Sequence, residues 1–269
     1  VSVEKKDDYT VVFKLKSADA AFLQNLAMSF ASIHSAEYAD KLLKDGKVTQ
    51  LNTLPIGTGP FIFKSYQKDA AIRYDGNKTY WKAGDVKLDR LIFAITPDAS
   101  VRAQKLQKGE CHVMPYPRPA DIAGLKNQPA LSVTSQAGFN LGYLAYNVKH
   151  KPLDQLEVRQ ALDMAINKKA IIDAVYQGAG QPATNPMPPT QWSYNKNLKD
   201  AGYNPEKAKE LLKKAGHANG FETTLWAMPV QRMYNPNAKL MAELIQADWA
   251  KIGVKAKITT YEWGEYLKR

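Results

Sequence analysis

Residues 221–260 read FETTLWAMPVQRMYNPNAKLMAELIQADWAKIGVKAKITT. The first six residues are rich in β-formers and predict a strand. Asn235-Pro236 combines a capping residue with a first-turn proline and opens a helix. Leu240, Met241, Leu244, Ile245, Trp249 and Ile252 then recur at helical spacing, and Gly253 stops the run. Residues 254–260 form a second strand. A strand, a helix and a strand in this order predict a parallel pair joined by a right-handed crossover.

Upstream of this stretch the same pattern recurs in looser form. Asn204-Pro205 opens a helix carrying Ala208, Leu211, Leu212 and Ala215, closed by Gly216. Asp154 is expected to cap a helix whose Val158, Ala161, Leu162, Ala165 and Ile166 share one face. Residues 141–147 read as a strand, and residues 178–198, with four prolines and two glycines, as a long irregular loop. Further upstream, Thr96-Pro97-Asp98 starts a helix that Gly109 ends. Residues 61–66 and about 70–75 form a hairpin, 91–95 a short strand, and 9–16 another strand. Residues 20–30 and 36–44 read as helices. The class is α/β (mixed α+β), in two parts dividing near Gly138, residues 1–137 and 138–269.

Composition narrows the function classes. A chain of 269 residues that is 45% hydrophobic and 23% charged is an ordinary globular composition, and no window reaches the roughly 18 apolar residues of a membrane helix. The net charge of +11 raises nucleic acid or another polyanion as a partner. The basic residues are scattered, however, and the doublets Lys5-Lys6, Lys168-Lys169 and Lys213-Lys214 sit near Asp7, Asp173 and Glu210, so a solvated surface is the preferred reading. Cys111 is the only cysteine, which excludes an internal disulfide or a thiolate cage. It is either a small buried apolar residue or one that has lost its partner. The first residue is Val1, no signal peptide precedes it, and residues 262–269 read as an unfinished helix, so both ends are expected to be cut from a longer chain.

No HExxH, GxSxG or Walker-type motif is present. His34, His112, His150 and His217 lack metal-ligand spacing. No catalytic residue, metal or cofactor is therefore expected. A ligand site is expected instead where open α/β sheets bind ligands, beyond the carboxyl ends of the strands. There the loop at 227–235 and residues 261–263 bring Met228, Arg232, Tyr234 and Trp263 to one rim. A guanidinium grips a carboxylate or phosphate in bidentate fashion, and aromatic walls supply apolar area without demanding one side chain. The plainer alternative makes Arg232 a surface ion-pair partner and Trp263 a core residue.

The stretches PIGTGPF (55–61), ITPDASVR (95–102), CHVMPYP (111–117), VRQAL (158–162), AVYQGAG (174–180), NPEKA (204–208), LWAMPVQRMYNPN (225–237), QADWAK (246–251) and YEWGEY (261–266) resemble the family 5 extracellular solute-binding proteins of ABC importers. Within that family the resemblance is to its dipeptide-binding branch in Gram-negative bacteria. It implies a bilobal, periplasmic-binding-protein-like fold (type II, cluster C-like) whose lobes close by a hinge. It also implies a periplasmic, monomeric protein that hands a dipeptide or short peptide to an inner-membrane permease. By the resemblance Arg232 holds the peptide carboxylate, with Tyr234, Met228 and Trp263 lining the pocket. Haem, glutathione or longer oligopeptides are the alternative ligands. The aspartate that meets the peptide ammonium is expected beyond Arg269, and the usual partner of Cys111 before Val1. On that reading, residues 1–269 hold one pole of the site and do not clamp a dipeptide tightly by themselves.

Overall fold

The computed structural model describes Val1 to Arg269, the side chain of Ala83 excepted. The chain forms two compact units, Val1–Pro97 and Asp98–Arg269. In the first, β1 (Ser2–Asp7) pairs antiparallel with β2 (Thr10–Lys14). The Asp7 carboxylate accepts a hydrogen bond from the Tyr9 amide at 2.8 Å and closes the turn. β1 is absent from the sequence reading because its residues, SVEKKD, carry no apolar alternation and are exposed throughout.

The helix expected over 20–30 is only α1 (Phe22–Leu26), followed by a single 3₁₀ turn, Ser29–Ala31. Met28 turns extended between them, and α1 has no buried residue, so no packing supports a longer helix. α2 (Ala36–Lys44) is capped by Ser35, buries Leu42 and ends before Gly46 at φ 66°. β3 (Phe61–Gln67), β4 (Ala71–Gly76) and β5 (Arg90–Ala94) form an antiparallel sheet in that order. The Tyr74 ring lies edge-on between Phe63 and Phe93, at 5.7 and 6.1 Å.

The second unit begins with α3 (Ala99–Gln107), where the Asp98 carboxylate accepts from the Val101 amide at 2.9 Å. α4 (Pro119–Lys126) starts on a proline, which is preset for a first helical turn. α5 (Leu156–Met164) has Gln155 at its N-cap rather than Asp154. Arg159 reaches back to the Leu153 and Asp154 carbonyls at 2.9 and 3.0 Å, so this start is tied down by a guanidinium and not by a carboxylate cap. α6 (Lys168–Ile171) runs on through a wide turn at Ile172–Tyr176. The segment expected as a strand at 141–147 is irregular. It places Leu144 and Tyr146 on the core, but among the described residues no neighbouring strand supplies the ladder a strand requires. The loop at 178–198 is irregular, as expected, and Asn185 pins it by accepting from and donating to the Asn195 backbone, both at 3.0 Å.

α7 (Pro205–Lys214), β6 (Glu222–Trp226), α8 (Ala238–Ala250), β7 (Lys255–Thr259) and α9 (Trp263–Lys268) complete the unit. β6 and β7 are parallel, in register from Glu222↔Lys255 to Trp226↔Thr259. α8 begins two residues after Pro236, because Asn237 and not Asn235 caps it, accepting from the Leu240 amide at 3.1 Å. Asn235 is spent on a tight turn with Arg232.

Val158 and Leu162 of α5, Leu212 of α7 and Val254 before β7 are the largest fully buried side chains. Each stabilises the unit by about 1.5–3 kcal/mol relative to exposure. The Trp249 indole of α8 donates to the Leu162 carbonyl at 3.1 Å. Asp248 beside it is buried and accepts from the Asn167 amide at 2.8 Å and from Lys251 at 2.7 Å, a satisfied carboxylate joining α8 to α6.

Candidate functional site

β6 and β7 run side by side and end at Trp226 and Thr259, so the loops that follow them start from one edge. The first loop is stiffened at 232–235, where the Arg232 and Asn235 amides each donate to the other residue's carbonyl at 3.0 Å. The second runs directly into α9, capped by Glu262, whose carboxylate accepts from the Glu265 amide at 3.2 Å. Hydrogen bonds from the Gly264 and Glu265 amides hold the Glu262 carboxyl below its ordinary value.

The two loops meet at Arg232. Its guanidinium lies over the Trp263 ring, 4.8 Å from the ring centre, which is cation–π geometry. Its Nη1 donates to the Gln231 carbonyl at 3.0 Å, and among the described residues no carboxylate pairs with it. Both side chains are half-buried. Trp263 is thus only partly covered and meets Arg232 through its ring face.

The aromatic surface continues from there. Trp263 stacks on Tyr266 at 5.7 Å with the planes 21° apart, Tyr266 meets Trp226 at 5.7 Å, and Trp226 meets Tyr261 at 5.1 Å. Arg269 covers the outer face of Tyr261 at 4.5 Å. Burial raises the Tyr266 phenol above its ordinary value, and the nearby Tyr234 phenol adds to the shift.

Of the four residues expected at the rim, Arg232 and Trp263 are thus in contact and Tyr234 lies close by, while Met228 packs partly buried against the core below. Sequence reasoning missed Tyr266 and Trp226 as members of this surface. The three-residue spacing from Trp263 to Tyr266 places them on one helix face and was a usable signal. It also missed Tyr176, whose hydroxyl donates to the Tyr234 carbonyl at 2.7 Å. A separation of 58 residues leaves no local pattern to read.

Chemically, the rim offers a cation that keeps N–H groups beyond the one bonded to Gln231, flat apolar faces and phenol hydroxyls. These suit a small ligand with a carboxylate or phosphate next to apolar groups. Among the described residues no group of three or more His, Cys, Asp or Glu stands in metal-binding proximity, and no helix is long and apolar enough to cross a membrane. Cys111 is free and half-buried.

All of residues 1–269 match the family model of the bacterial extracellular solute-binding proteins, family 5 (middle part). The chain belongs to this family. Among its solute-binding relatives is di/tripeptide-binding protein 1 of Pseudomonas aeruginosa, 70% identical over 99% of this chain and 50% of the relative. Heme-binding protein A of Haemophilus influenzae is 54% identical over 100% of this chain and 49% of the relative. A crystal structure of a dipeptide binding protein from Pseudoalteromonas sp. SM9913 in complex with Met-Leu superposes with a TM-score of 0.89 at 40% identity, covering 99% of this chain and 52% of that one. The chain therefore spans about half the length of the curated relatives it matches and has the mixed α/β fold of family 5 binding proteins.

Proposed function

We propose that this chain carries the carboxylate-binding pole of a periplasmic receptor that captures dipeptides or other short peptides and delivers them to an ABC importer. The observation that carries the reading is Arg232, a guanidinium stacked on Trp263 with no carboxylate partner among the described residues. It is available to grip a peptide C-terminus. Tyr234, Met228 and Trp263 line the pocket around it. Relatives named for di- and tripeptides support the ligand class.

In the complete protein the first crossing between lobes lies near Gly138, with 1–137 in the first lobe and 138–269 in the second. The receptor is a monomer and not an enzyme, and incubation with a dipeptide releases no free amino acids. A titration of the complete, signal-cleaved protein with Ala-Ala tests the assignment. Micromolar or tighter binding supports it, and no detectable heat contradicts it.

A second reading is favoured by the relative named for haem. Haem also presents carboxylates beside a flat apolar surface, which an arginine and an aromatic strip would accommodate. Spectrophotometric titration with haem separates the two: tight haem binding with silence toward Ala-Ala selects this reading.

A further inference from the structure

We propose that Tyr266 is a positioning residue for Arg232, acting through Trp263 to set how strongly the site prefers a free carboxylate over a neutral terminus. The inference rests on the assignment of Arg232 to the ligand's carboxylate.

An arginine side chain loses rotamer entropy when it is held in one geometry, and it grips a carboxylate in bidentate fashion only if its plane is correctly turned. Arg232 has few restraints. One of its amino groups bonds to the main chain at Gln231, and among the described residues the ring it lies over is that of Trp263. The orientation of Trp263 therefore decides the orientation of the guanidinium.

Trp263 has little support of its own. It is the first residue of a six-residue helix that has no buried residue. Its flat contact is with Tyr266, one turn on, at 5.7 Å and 21°. Tyr266 is anchored in turn by Trp226, 5.7 Å away and edge-on at 61°. Trp226 sits in β6, where pairing with Thr259 of β7 holds its position. A rigid strand thus reaches the flexible cation through three rings in sequence, Trp226, Tyr266 and Trp263. A guanidinium stacked face-on leaves the N–H groups not bonded to Gln231 available for a carboxylate. Tyr266 stands one ring away from Arg232 and contributes no charge, so its influence is on geometry.

The test uses the complete, signal-cleaved protein and two ligands, Ala-Ala and its C-terminal amide. In the wild type the acid is expected to bind more tightly than the amide. Tyr266→Ala is expected to weaken binding of the acid by roughly three- to tenfold, on the scale of one aromatic pair, and to leave the amide nearly unchanged. The preference for the acid then shrinks, and Tyr266→Phe, which keeps the ring, restores it. Equal weakening of both ligands, or an unchanged acid-to-amide ratio, overturns the inference. If Tyr266→Ala fails to fold, Tyr266→Leu is read against the same two ligands. Failure of the underlying assignment looks different: Arg232→Ala would then leave the acid-to-amide ratio at its wild-type value.

Discussion

The Tyr176 hydroxyl donates to the Tyr234 main-chain carbonyl at 2.7 Å, and Gly142 passes so close that a Cβ there would lie 2.5 Å from that same carbonyl oxygen. Three segments far apart in sequence are thereby clasped against the turn that presents Arg232. Gly142 is required for space and not for backbone conformation, since it is absent from the positive-φ glycines.

Loss of the clasp is expected to cost stability locally. Tyr176→Phe removes one neutral hydrogen bond and should lower the unfolding free energy by about 0.5–1.5 kcal/mol. Gly142→Ala forces a backbone shift and should be the more damaging of the two. Urea unfolding of the complete protein checks both, and a neutral Gly142→Ala would show that the close approach is not maintained.

Leu162 lies in the last turn of α5, where carbonyls lack helical partners. The Ile166 amide that would ordinarily reach it bonds instead to Asp163 at 3.2 Å, and the Trp249 indole at 3.1 Å fills the place. Trp249→Phe keeps most of the apolar volume but strands this buried carbonyl. It is expected to cost about 1–3 kcal/mol, read as a shift in urea midpoint with an unchanged slope.

Glu262 gives the rim a pH dependence. Its carboxyl is held below the ordinary glutamate value of 4.5, first by the Gly264 amide and then by that of Glu265. A lowered value means the charged cap stabilises α9 above the ordinary glutamate range. That stabilisation is lost as pH falls through the folded-state value. Trp263 and Tyr266 ride on this helix, so tryptophan fluorescence should report its loosening below about pH 4.5. In Glu262→Gln that transition should be absent.

Much of this architecture is legible in the sequence, for a physical reason. The stripes Val158–Ala161–Leu162–Ala165 and Ile245–Trp249–Ile252 are buried as read, because an apolar row at helical spacing has one economical way to leave water. The parallel pairing of β6 and β7 follows from the helix between them. Residues 141–147 mislead because Leu144 and Tyr146 do face the core, yet a strand is defined by a neighbour that its own sequence does not specify. Caps misled in a similar way: Asp154 and Asn235 are good capping residues, but Gln155 and Asn237 occupy the positions, and a shift of one or two residues lies within the choices the chain offers. At the rim, Arg232 and Trp263 could be placed by topology alone. The stack behind them depends on ring orientations that spacing only hints at.

The central claim is that Arg232 holds the ligand's carboxylate, and Arg232→Ala in the complete, signal-cleaved protein tests it most directly. Calorimetric titration with Ala-Ala should show micromolar or tighter binding for the wild type and a loss of roughly 2–5 kcal/mol for the variant, the usual cost of removing one partner of a buried charge pair. An Arg232→Ala protein that is folded and binds Ala-Ala with wild-type affinity would contradict the account.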